Sequence, residues 1–151
     1  MTTVVNGIEG LKEKVGQHLG YSDWVEVTQE QVNLFADSTG DHQWIHVDPE
    51  RAKDGPFGGT IGHGYLTLSL LPAASYEVVP RQGGKMSINY GLNRVRFPSP
   101  VPVGSRVHAT FETIDIDEQD WGAQVTMKAT IEREGGDKPV CVAEIVFRYY
   151  N

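Results

Sequence analysis

The sequence predicts an α+β domain in which an antiparallel β-sheet wraps one long apolar helix. Three observations carry this expectation. From Thr60 the chain is apolar nearly all round, with Ile61, Tyr65, Leu66, Leu68, Leu70, Leu71, Ala73 and Ala74, and a helix without a polar face is one surrounded by protein. Trp121, Ala123, Val125, Met127, Ala129 and Ile131 alternate strictly with polar residues or glycine, the period of a half-buried strand. Cys141, Ala143, Ile145, Phe147 and Tyr149 form one apolar face of a further strand, while Val140, Val142 and Val146 partly cover the other. Such a strand is central or faces a partner subunit. With 151 residues, 39% hydrophobic and 22% charged, the chain is long enough for a real core and is expected to be one domain, residues 1–151.

The remaining elements follow in order. Ile8, Leu11, Val15 and Leu19 have helical spacing with Glu9, Lys12, Glu13 and Lys14 facing out, and Gly20 stops the run. Trp24 to Val27 reads as a short strand. Thr28 and Gln31 form a capping-box pair that opens a helix with Val32, Leu34, Phe35 and Ala36 on its apolar side. That helix is expected to end near Ser38–Gly40 and to deliver Asp41 just past its C-terminus. Asp48–Pro49 reads as an N-cap followed by proline at the first helical position, giving a single turn over Pro49–Lys53. Asp54 to Gly59 is a loop. Pro72 is expected to kink the apolar helix or end its regular part, and Arg81–Gly84 is a polar break. Met86–Leu92 and Arg94–Phe97 make a further strand or two. Val107, Ala109 and Phe111 alternate but Ile114 and Ile116 sit on the opposite parity, which predicts a β-bulge near Glu112–Thr113. Gly135–Asp137 is a hairpin turn between the last two strands.

Seven net negative charges argue against general nucleic-acid binding, and an anionic ligand would need a local cluster of Arg or Lys. The single cysteine, Cys141, excludes an internal disulfide, reads as core, and fits a reducing, cytoplasmic compartment. Met1–Asn6 lacks the basic segment and apolar run of a signal peptide. The longest uncharged run, Phe57–Tyr76, contains four glycines, a proline and a histidine, which suits a buried element and not a membrane span.

The stretch richest in chemistry is Ser38–Asp48. Asp41 and His46 are five residues apart, roughly 16 Å if extended, so they serve one small molecule only if the chain folds back between them. Gly40, which tolerates positive φ, and the polar Asp41-His42-Gln43 suit such a bend. A carboxylate and an imidazole converging on one point can exchange protons near neutral pH. Residue types and spacing alone favour an Asp that caps a turn with a His packed beneath it. Asp41, His42, His46 and His63 lack a standard metal-ligand spacing, so no metal is expected. Ser69 has no adjacent base and reads as a helix hydroxyl bonded to its own backbone.

Gly40-Asp-His-Gln-Trp-Ile-His46, followed by Ile61-Gly-His-Gly64, resembles the MaoC-like, R-specific enoyl-CoA hydratases of the hotdog-fold superfamily. Their pattern is Gly-Asp-x-Asn-Pro-aliphatic-His and then a segment ending Ala-His-Gly. Tyr90–Pro98 and Pro102–Val107 also look like the family's later strand and turn, so the resemblance runs from about Tyr21 to the end. It implies a hotdog fold, a homodimer, and reversible hydration of trans-2-enoyl-CoA to (R)-3-hydroxyacyl-CoA. Asp41 and His46 match the catalytic pair, and Gly64 matches the glycine whose N–H serves the oxyanion hole. Gln43, Trp44 and His63 are expected beside the substrate, with His63 at the helix entrance. Arg94 and Arg96 are the basic pair best placed to meet the phosphates of a CoA or carrier-protein arm. The thioester is substrate, and no other cofactor, nucleic acid or membrane is implied. Gln43-Trp44 departs from Asn-Pro and changes how the bend is held; Gly62 replaces alanine, a mild change. Two alternatives share the fold. A thioesterase would carry its acid on the central helix, where Ile61–Ala74 has no carboxylate. A non-catalytic acyl-thioester-binding subunit of a heteromeric dehydratase could dispense with Asp41 or His46.

Overall fold

A computed structural model of the chain describes residues 5–82 and 84–151. Residues 1–4, part of the Met1–Asn6 segment, and Gly83 in the polar break lie outside it. The elements run β1 (Val5–Asn6), α1 (Gly7–Lys12), β2 (His18–Tyr21), β3 (Val25–Glu26), α2 (Gln29–Thr39), α3 (Trp44–Val47), α4 (Pro49–Lys53), α5 (Gly64–Ser69) and α6 (Leu71–Val78). There follow β4 (Arg81–Gln82), β5 (Met86–Arg96), β6 (Arg106–Gln119), β7 (Gly122–Arg133) and β8 (Cys141–Tyr150).

The large sheet is antiparallel, in the order β2-β6-β7-β8-β5, with β3 also pairing on β6. Its inner face supplies Phe111, Val125, Met127 and Ile131, which are buried together with Leu66, Leu71 and Val78 of the helical layer. β8 is flanked by β7 on one side and β5 on the other, which accounts for apolar residues on both its faces. The irregularity in β6 falls between Thr113 and Asp115, one residue beyond the expected bulge, and leaves Ile114 unpaired and 44% exposed.

Three expectations are corrected. The helix expected from Ile8 to Leu19 ends at Lys12, because the chain turns through Gly16 at φ +79° and Gly16 N–H donates to Thr113. Leu19 is buried all the same, from strand β2. The apolar helix begins at Gly64: residues 60–62 are held extended by Ile61 N–H to Ile45, Gly62 N–H to Val101, and Val103 N–H to Thr60. It runs on to Val78 in two pieces, because Pro72 lacks the N–H that would continue the hydrogen-bond ladder from α5. This longer helix takes in Glu77, whose Oε1 accepts from Asp23 N–H at 2.6 Å. Nor is it covered all round, since Tyr65 and Tyr76 are 73% and 58% exposed in the single chain.

Candidate active site

Three separate pieces of chain bring Asp41, His46 and His63 together. Thr28 Oγ1 accepts from Gln31 N–H and caps α2, as expected, although Gln31 Oε1 finds no partner among the described residues, so only half of the capping box forms. Gly40 ends α2 in the left-handed region at φ +85° and turns Asp41 out of the helix. The fold-back is completed by α3, a helical turn whose third residue is His46. His63 stands as N-cap of α5, 2% exposed.

Hydrogen bonds set the ring orientations. His46 Nδ1 lies 2.7 Å from the Ile61 carbonyl, which only accepts, so Nδ1 carries a proton and, in the neutral ring, the lone pair is on Nε2. His63 Nε2 lies 3.0 Å from the Asp41 carbonyl and by the same logic carries the proton. The two imidazoles stack with centroids 3.9 Å apart and planes 24° from parallel. Gln29 ties the site to α2: its Nε2 donates to the His46 carbonyl at 2.8 Å and its Oε1 accepts from Thr60 at 2.6 Å. Nothing in the sequence marked Gln29, since a glutamine in a first helical turn is ordinary.

One ligand atom each of Asp41, His46 and His63 lies within 4.8 Å of the others, the spacing of a candidate metal group. A shared metal would have to lie close to both ring planes, and rings stacked with centroids 3.9 Å apart and planes 24° from parallel do not both point a nitrogen lone pair at one ion roughly 2.1 Å away. The set fits proton transfer better than metal binding. His42 takes no part, because its Nε2 pairs with Asp37 at 3.0 Å on the surface.

A model of the MaoC-like domain matches residues 11–136. The chain belongs to the MaoC-like family. It is 56% identical over 143 residues to the 3-hydroxyacyl-thioester dehydratase Z of Mycobacterium tuberculosis, a match spanning 94% of this chain and 95% of that one. It is also 48% identical over 135 residues to nodulation protein N of Rhizobium leguminosarum, covering 86% and 83%. Among solved structures, the (R)-hydratase from A. caviae involved in PHA biosynthesis superposes with a TM-score of 0.73 at 28% identity, over 89% of this chain and 95% of its own. The wrapped helix is thus the hotdog fold, and the enzyme class is hydratase/dehydratase.

The family's proline falls where Trp44 opens α3, a position suited to proline's fixed φ. In this MaoC-like chain a packed ring takes its place. Trp44 lies beneath the Arg51 guanidinium at 4.4 Å and against Gly55, where a Cβ would meet the indole at 3.1 Å. Gln43 is exposed, and its N–H faces Asp41 Oδ1 at 3.4 Å. A cavity of about 320 Å³ opens between the helix and β5–β8, lined in part by Leu68, Leu71, Tyr76, Asn89, Leu92 and Phe147. A second, of about 200 Å³, lies on the β6 side of the helix, beside Asp23, Gln31 and Glu77. Neither is lined by Gln43, Trp44, Arg94 or Arg96. The two arginines are exposed on β5, where Arg96 Nη1 donates to the Val95 carbonyl. Phe97, directly after them, packs on Gly64, so their end of β5 adjoins the helix start.

The remaining chemistry-bearing residues are structural. Ser69 Oγ donates to the Tyr65 carbonyl at 2.6 Å, and burial pushes the Cys141 thiol up to about 11, so it is neutral at pH 7.

Proposed function

We propose that the chain hydrates trans-2-enoyl thioesters to (R)-3-hydroxyacyl thioesters, and reverses that reaction, with Asp41 and His46 handling the protons. The observation that carries this reading is the convergence of the Asp41 carboxylate with the His46 and His63 rings, one ligand atom of each within 4.8 Å of the others, beside the start of α5. The names of the mycobacterial relative and of the A. caviae neighbour point to the same chemistry.

The pair holds one water over the β-carbon. Oxygen adds there, its proton passes to the pair, and a proton is returned to the α-carbon on the same face of the double bond. Between those events the thioester oxygen carries enolate charge. Gly64 N–H, which meets no acceptor among the described residues, is the donor for it. The acyl chain runs along the helix into the 320 Å³ cavity, whose nearest helical residues, Leu68 and Ser69, lie roughly 6–8 Å beyond Gly64. Arg94 and Arg96 meet the phosphates of the CoA or carrier arm.

The working unit is a homodimer. Among the described residues β5 pairs only with β8, and its other edge carries Met86, Ile88, Tyr90 and Leu92, each about half exposed. Cys141 as a free, buried thiol agrees with a cytoplasmic setting, and among the described residues no helix is long and apolar enough to cross a membrane.

Crotonyl-CoA tests the reading. Loss of enoyl absorbance without thiol release is the expected result, thiol release would mean hydrolysis, and neither would leave only binding. Asp41→Asn and His46→Ala are each expected to lower kcat by about 10²–10⁴-fold, and an unimpaired double variant would refute the site.

A further inference from the structure

His63 touches three parts of the site at once. Its Nε2–H reaches the Asp41 carbonyl, one ring face lies on His46, and its own residue caps the helix that begins at Gly64. Phe35 closes on the ring at 4.8 Å. The remaining nitrogen, Nδ1, is sealed from solvent and meets no partner among the described residues. A second proton there would make a buried N–H⁺ with no acceptor, next to an imidazole that must itself accept a proton. The surroundings therefore accept the neutral Nε2–H tautomer.

Building on the reading above, we infer that His63 is a positioning residue, a neutral imidazole that ties down the Asp41 backbone through Nε2–H and backs the His46 ring with its face. Asp41 is on an exposed turn whose only side-chain hydrogen bond among the described residues is the 3.4 Å contact to Gln43 N–H, too long to fix it. The bond from buried His63 is what registers that turn against the helix start. The same ring prevents His46 from tilting about its Nδ1–H bond to Ile61. A neutral neighbour suits a ring that becomes imidazolium during turnover, because its π-face attracts a cation where a second cation would repel it.

The first test needs no variant. A long-range ¹H–¹⁵N correlation spectrum of the labelled wild-type protein at pH 7 should show His63 as the Nε2–H tautomer and His46 as the Nδ1–H tautomer. A cationic or Nδ1–H pattern at His63 overturns the inference. The second test compares His63→Gln, which keeps a donor near the Nε2 position, with His63→Leu, which does not. With crotonyl-CoA, His63→Leu should lose about 10²-fold in kcat, the size of effect expected of a misplacement near 1 Å, with KM changed by no more than about twofold. His63→Gln should recover at least about tenfold of the loss. Equal losses in both variants, or a loss carried by KM, would overturn it. If the wild-type protein turned over no enoyl thioester, the functional reading would fall and the spectra would still decide. His46 should then lose its single tautomer in His63→Leu, and an unchanged His46 pattern would refute positioning.

Discussion

Two glycines that bracket His63 have opposite tolerances, and both follow from what a Cβ would touch. At Gly62 it would meet Val27 Cγ1 at 3.6 Å and the Val101 carbonyl at 3.8 Å, which are ordinary contacts, and the backbone is outside the left-handed region. Gly62→Ala should therefore keep activity and raise stability by about 0.4–1 kcal/mol through the less flexible unfolded chain, as read by denaturant midpoint. At Gly64 a Cβ would come within 3.1–3.2 Å of three atoms of the Phe97 ring. Either the ring or the start of α5 must give by a few tenths of an ångström, and the proposed oxyanion donor moves with it. Gly64→Ala should lower kcat about tenfold while leaving the fold intact by circular dichroism. Full activity in Gly64→Ala would show that the Gly64 amide is not held at the reacting oxygen.

Helix α2 sets the site's register, since its C-terminal Gly40 aims Asp41 and its first-turn Gln29 holds the His46 carbonyl. The Thr28 cap is thus coupled to the proposed proton pair through one element. Thr28→Ala should cost about 1 kcal/mol in stability by thermal or urea unfolding, with kcat falling less than for any change at Asp41 or His46. Elements whose cause is local were legible in the residues: the Thr28 cap, the Asp48–Pro49 turn, the Gly40 stop and the break at Pro72 all have local signatures. The strict alternation of β7 gave its face correctly for the same reason. What failed depended on distant partners. Leu19 keeps helical spacing with Leu11, yet the hydrogen bond from Gly16 to Thr113 draws that segment onto the sheet as β2. His108, between Val107 and Ala109 in the alternating run, lies against Trp24 with ring centroids 3.7 Å apart and bonds Glu132, contacts made only once β2, β3 and β7 flank β6. At the site, Asp41 and His46 were visible as a motif. The tether from Gln29 and the stacking of His63 were not, because both join segments 17 residues apart.

At the scale of the whole molecule, the charge of −7 and the layout of the sheet edges bear on assembly. One edge of the large sheet ends in the short strands β2 and β3, of four and two residues, which offer little backbone to another chain. The other ends in β5, eleven residues long, with one side of its backbone free of strand partners among the described residues and large apolar side chains at 46–57% exposure. A long apolar edge left open in water invites pairing with further chains, and closing it against an identical edge satisfies both the backbone and the side chains. Met86 and Ile88 pair in register with Tyr150 and Arg148 and do not line the 320 Å³ cavity, so changing them tests the edge without altering the proposed acyl site. Sedimentation should find a dimer for the wild-type protein and a monomer for Met86→Lys/Ile88→Lys, both with the same far-ultraviolet spectrum. If the double variant also loses turnover while the His63 and His46 tautomers stay in place, the partner completes the substrate path without contributing to the proton pair. A wild-type protein that sediments as a monomer at micromolar concentration would remove the dimer, and the open edge of β5 would then have to be covered by something other than a second copy.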